Sequence, residues 1–181
     1  MARKESITKK MVLDSAFEYL RDNGIEEATA RKLAAYTGCS TQPFFRLYPS
    51  MEALYEDLFS VALDFYERFY LEFERNSTVP FVNLGMAYIA FAQKEPKLFS
   101  FIFLSQNRYG KSLYEILNGT EGILSKEIQL AKDGGCKDAM GMFMKMWMFI
   151  HGAAAMAITG DYDLGLEETR ELLEDSYKRL V

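Results

Sequence analysis

Residue types that carry catalytic or metal chemistry are scarce in these 181 residues. One histidine and two distant cysteines, Cys39 and Cys136, cannot assemble a three- or four-ligand His/Cys metal site. No glycine-rich phosphate loop and no nucleophile elbow is present, so phosphoryl-transfer and serine-hydrolase chemistry have no seat here. Glu26-Glu27 and Glu167-Glu168 are sequence neighbours, and on a helix neighbours point apart instead of forming an acid–base pair. The expectation is therefore no catalytic residue, no metal and no cofactor, with a helical enzyme the weakest of the function classes. Cysteine is too sparse for a disulfide scaffold and no apolar leader follows a basic start, which predicts a cytoplasmic protein. Only four prolines interrupt the chain, which favours long helices over coil.

What is present is apolar and unevenly charged. Hydrophobic residues make up 49 % of the chain, enough for a substantial core. Residues 1–50 carry eight Lys and Arg against six Asp and Glu, a net of +2, while residues 51–181 carry thirteen against twenty, a net of −7. The split points the first fifty residues toward a polyanion and the remainder away from one.

Apolar spacing predicts an all-α chain of about nine helices. Val12, Leu13, Ala16, Phe17 and Leu20 define a first helix from about Ile7 to Asn23, closed by Gly24. Thr29 caps a short second helix that ends near Gly38. Ser40 or Thr41 caps a third, with Pro43 in its first turn, where the missing N–H is tolerated. Pro49-Ser50 stops that helix and caps a long fourth running to about Phe73. A fifth covers Phe81 to Lys94 and Pro96 opens a sixth. Thr120 is expected to cap a seventh that ends at Gly134-Gly135, an eighth covers Lys137 to Ile158, and a last carries Leu166, Leu173, Tyr177 and Leu180. The run Ala139–Gly160 could imitate a membrane span, but Lys145 and His151 interrupt it, and a packed core helix is the reading favoured.

Two short helices joined by a glycine turn behind a longer supporting helix form the helix-turn-helix arrangement. In that arrangement the third helix offers its N-terminal side chains to the major groove, and an apolar back face keeps the pair rigid. Here the back face is expected to be Leu20, Ile25, Leu33, Ala34, Cys39, Phe44 and Tyr48. Spacing alone is equally compatible with a plain helical hairpin.

The residues narrow that choice. From Ile7 to Leu54 the chain resembles the DNA-binding domain of the tetracycline-repressor-like (TetR) family: Val12-Leu13-Asp14-Ser15-Ala16, Leu20 ahead of Gly24, Ala28-Thr29, Arg31-Lys32-Leu33-Ala34 and Gly38-Cys39-Ser40. Phe44 through Leu54, reading FFRLYPSMEAL, is similar without a gap to the family's LY-aromatic-HFPSKEAL signature. Further on, Gly85–Ala92 with Pro96–Phe99, and Trp147 with His151-Gly152, are similar to one C-terminal subgroup of the family. The resemblance implies a homodimeric, cytoplasmic repressor that binds double-stranded operator DNA through residues 1–50. Residues 51–181 would form the helical ligand-binding and dimerisation domain, and a small apolar or amphipathic effector would release the DNA.

The chain departs from the family at four positions that hold phosphates: Pro43, Phe45, Leu47 and Met51 stand where Thr, Tyr, His and Lys are usual. Each change removes a donor. The DNA-binding set is expected to comprise Thr29, Arg31, Lys32, Ser40, Thr41, Gln42, Pro43, Phe45, Arg46 and Tyr48, supported by a basic arm of Arg3, Lys4, Lys9 and Lys10. Thr41 and Gln42 are the expected base readers. With four anchors altered, a ligand-binding or protein-interaction module with a degenerate helix-turn-helix is the alternative. Fourteen Phe, eleven Tyr and ten Met suit an adaptable apolar cavity. Its lining is expected to be Phe65, Phe69, Met86, Phe103, Tyr114, Phe143, Trp147 and His151. The dimer is expected to form through a stripe of Met140, Met144, Trp147, Met148 and Ala155 beside Leu173, Tyr177 and Leu180.

Overall fold

In the computed structural model, residues 7–180 are described and form ten α-helices with no strand among them. Packing divides the chain into two compact units, one of residues 1–64 with 97–110 and the other of residues 65–96 with 111–181.

The first unit holds α1 (Lys9–Asn23), α2 (Ala30–Tyr36), α3 (Thr41–Leu47) and the beginning of α4 (Met51–Glu72). Each boundary has a local cause. The Met11 N–H donates to Thr8 Oγ1 at 3.2 Å to start α1, and Gly24, at φ +87°, closes it by donating to the Leu20 carbonyl. Thr29 accepts from the Lys32 N–H to start α2, and Ser50 accepts from the Ala53 N–H at 3.1 Å to start α4. Gly38, at φ +77°, makes the turn between α2 and α3 in a backbone region that costs other residues energy. Val12, Ala16, Leu20, Leu33, Phe44 and Leu54 are fully buried behind the pair. Ile25 and Cys39, expected in that back face, are only half-buried.

The second unit is built around α5 (Val82–Lys94), whose stretch from Leu84 to Ala92 is buried on every side, with α8 (Ile123–Asp133), α9 (Ala139–Thr159) and α10 (Leu166–Leu180) packed against the helix. Gly85 allows the closest approach. A Cβ there would lie 2.8–2.9 Å from side-chain carbons of Ile150 and Leu173. The N-terminus of α5 is fixed from outside the helix: Phe81 adopts a left-handed conformation at φ +66°, and its N–H donates to the buried Glu127 carboxylate at 2.5 Å. α9 is long and apolar enough to cross a membrane. It nevertheless packs its Met142, Phe143, Met146 and Ile150 face inside this unit and exposes Lys145 at mid-length.

Three details differ from the sequence reading. A short helix, α7 (Leu113–Asn118), precedes the expected break at Asn118-Gly119, started by a reciprocal capping box between Ser112 and Glu115. Thr120 does not cap α8. Its hydroxyl donates to Glu67 at 3.0 Å, and α8 starts three residues later after Gly122 in the left-handed region. The sixth helix, α6 (Pro96–Phe99), is a single turn that widens into a π-helical turn over Ser100–Leu104.

Burial pushes the Glu127 carboxyl above its ordinary pKa, more than its hydrogen bond from Phe81 and the nearby Arg75 draw it down. A carboxyl raised in the folded state stabilises fully below the carboxylate range and loses that contribution as pH rises through its raised value. Glu127→Gln keeps an acceptor for Phe81 and removes the charge. Its melting temperature should therefore fall less than that of the natural protein between about pH 5 and about pH 8. Glu127→Ala, which leaves the Phe81 N–H unsatisfied, should cost about 1–3 kcal/mol at either pH. Thermal melts in a pH series check both.

Candidate nucleic-acid interface and ligand core

Helix α3 sorts its side chains by face. Thr41, Gln42, Phe45 and Arg46 are exposed, at positions that fall on one side of a helix, while Phe44 on the opposite side is fully buried. Pro43 and Leu47 lie half-buried between the two faces. Ser40 occupies the N-cap position without a side-chain capping bond. Among the described residues, neither Arg31 nor Arg46 makes an ion pair, whereas Lys32 pairs with Glu27. Between Glu27 and Glu52 the chain has no acidic residue, so the exposed cations of α2 and α3 have no carboxylate on their own elements.

Tyr48 lies elsewhere than an exposed phosphate anchor would. It is buried to 1 % exposure, and its hydroxyl donates to Asp57 on α4 at 3.0 Å. Lys9 Nζ pairs with the same carboxylate at 2.7 Å and sits 4.9 Å from the centre of the Tyr48 ring. One aspartate thus joins the start of α1, the end of α3 and α4. Lys10 pairs with Asp14 along α1, and Arg3 and Lys4 of the expected arm lie outside the described residues. Met51 is the first residue of α4 and half-buried.

The expected ligand-core residues fall into separate places. In the second unit Phe65 and Phe69 pack on Phe91 with centroids 6.3 and 5.3 Å apart. Phe143, Trp147 and His151 form a ladder on the inner side of α9, with centroid spacings of 5.8 and 5.6 Å. Met86 borders a mixed polar cleft of about 310 Å³ that also includes Phe73, Asn83, Lys94 and Arg170. Tyr114 is on the surface of α7, its hydroxyl 2.9 Å from Ser125 Oγ. Phe103 belongs to the first unit and packs on Phe99.

The residue that joins the ladder was not singled out from sequence. Tyr88 is fully buried on α5, its ring 4.7 Å from Trp147 and its hydroxyl 2.9 Å from His151 Nδ1. A tyrosine inside a helix apolar on all sides needs a partner for its hydroxyl, and that was the available signal.

The C-terminal domain pattern of tetracyclin repressor-like proteins matches residues 81–180, from the head of α5 to the last turn of α10. The chain belongs to the tetracyclin repressor-like family. Its fold is that of the crystal structure of a TetR-like transcriptional regulator from Rhodococcus sp. RHA1, with a TM-score of 0.64 over 98 % of this chain and 97 % of that one, at 14 % identity. No curated protein matches the chain by sequence. The family match includes the Tyr88–Trp147–His151 group, and membership places the chain among transcriptional regulators.

The hydrogen bond from Lys9 is the largest influence on the Asp57 carboxyl; burial opposes it, and with the added hydrogen bond from Tyr48 and the Lys9 charge the group is held below the usual carboxylate range. A depressed pKa stabilises above the unfolded-state value, and the contribution is lost as pH falls through the folded one. Asp57→Asn should therefore lower the melting temperature at neutral pH and match the natural protein in acid. Its side chain is 36 % exposed, so the loss should stay below about 1 kcal/mol and shrink in high salt. Melts at two pH values and two salt concentrations test this.

Proposed function

We propose that the chain is a cytoplasmic, homodimeric transcriptional repressor that binds double-stranded operator DNA and leaves it when a small apolar or amphipathic molecule binds. Residues 1–50 act as the reading part and residues 51–181 as the ligand-binding and dimerisation part. The observation that carries this reading is the exposed face of α3, where Thr41, Gln42 and Arg46 are unobstructed on a helix seated from behind by Phe44. Gln42 offers a bidentate amide to adenine, while Thr29, Arg31, Lys32, Ser40 and Arg46 supply positioning contacts to phosphate. Lys32 must first exchange Glu27 for a phosphate.

Dimerisation is supported by the outer face of α9 and α10. Met140, Met144, Met148, Phe149 and Met156 are exposed on α9, and Leu166 and Leu172 on α10. Between them runs an apolar groove of about 510 Å³, lined in part by Met148, Phe149, Met156 and Leu172. An apolar surface of this extent on a soluble chain calls for a partner, and pairing the two helices with a second copy makes a four-helix interface. Trp147 and Leu173, expected on this stripe, are buried within their own chain and contribute only from behind. The effector is proposed to enter the aromatic interior beside Phe65, Phe69, Phe143, Trp147 and His151, with His151 and Tyr88 as its polar contacts.

Fluorescence anisotropy with the DNA flanking the gene tests the reading. Saturable, salt-sensitive binding is expected, and its absence at low salt would favour the interaction module with a degenerate helix-turn-helix. Met51→Lys should tighten binding and steepen the slope of log affinity against log salt by about 0.9 per half-site. Gln42→Ala should relax base choice at a cost of about 1–3 kcal/mol. Sedimentation should find the natural protein as a dimer and Met148→Glu as a folded monomer, because a charge at this position is buried only in the pair.

A further inference from the structure

Phe45 is the largest side chain on the exposed face of α3, an aromatic ring left 46 % exposed among polar neighbours. Its ring touches Phe44 edge-on, with centroids 5.7 Å apart, and that contact fixes its direction without covering it. Without a hydroxyl it has nothing to give a phosphate, and water is a poor neighbour for the rest.

In the major groove one apolar group projects from the base edges, the C5-methyl of thymine. We propose that Phe45 is a specificity-determining residue that packs on a thymine methyl and so reads sequence through its ring. The inference rests on the DNA-binding function proposed above. Gln42 and Phe45 lie three residues apart on the same face, a rise of about 4.5 Å along the helix. Stacked base pairs rise about 3.4 Å. The two side chains therefore address neighbouring pairs: adenine by the Gln42 amide and thymine by the Phe45 ring. Charge is complementary to this occupant, since Arg31 and Arg46 are exposed and, among the described residues, make no ion pair, and the segment between Glu27 and Glu52 is free of acids.

The test selects duplexes from a randomised pool with the full-length protein, then replaces each thymine of the selected site in turn by deoxyuridine, which lacks only the methyl. Two adjacent A·T pairs should be enriched in each half-site. At one of them the loss of the methyl should weaken binding about fourfold, the change expected for removing one buried carbon from apolar contact. Phe45→Ala should bind the thymine and deoxyuridine duplexes alike, and Phe45→Leu should keep part of the difference. Circular dichroism confirms that each variant is folded. A selected site with no methyl-sensitive position, or a sensitivity that survives in Phe45→Ala, overturns this inference and leaves the DNA-binding reading standing. Failure to bind any duplex at low salt overturns both.

Discussion

The outward face of α3 depends on how that helix is seated. Phe44 enters the head with no exposed surface, and Tyr48 follows one turn later, 1 % exposed, its hydroxyl tied to Asp57. Burying a phenylalanine side chain is worth about 1.5–3 kcal/mol, enough to hold a seven-residue helix that would be unstable alone. With those two side chains fixed, helical geometry leaves Thr41, Gln42, Phe45 and Arg46 facing outward. Asp57 extends the constraint by holding Lys9, so the start of α1 and the end of α3 share one acceptor on α4.

Charge acts at a different scale. A chain with a net charge of −5 repels a polyanion on average, but DNA meets a surface and not an average. The stretch from Ala28 to Met51 carries Arg31, Lys32 and Arg46 and no acid. Glu27 masks Lys32, which leaves Arg31 and Arg46 as the cations of α2 and α3 that have no ion pair among the described residues. Under the proposed function, few phosphate anchors combined with an apolar Phe45 would make α3 rely more on base contacts than on backbone contacts.

In the second unit the same side-chain types have two uses. The inner face of α9 joins Tyr88 in an aromatic ladder, and its outer face exposes methionines. Methionine suits both, because its flexible thioether fills irregular gaps and packs on partners of varied shape. The membrane-like hydropathy of α9 follows from having two apolar faces, one satisfied inside the chain and the other left open.

The helical class, most helix ends and the arrangement of the first three helices were legible in the chain, because caps, glycine turns and 3.6-residue periodicity are local and survive without knowledge of the fold. Thr29, Gly38 and Ser50 act in the structure as their residue types require. The capping box that starts α7 was equally local and could have been read from Ser112 and Glu115. Which apolar residues point where came from packing between elements. It turned Trp147 and Leu173 inward, put Tyr114 on the surface, separated Phe103 from the other expected lining residues and brought Tyr88 to His151. It also gave Thr120 to Glu67, and gave the head of α5 to a carboxylate on α8, 46 residues away. These are contacts between elements distant in sequence, and hydrophobicity is non-directional: it requires that a side chain be buried but does not choose the neighbour that buries it.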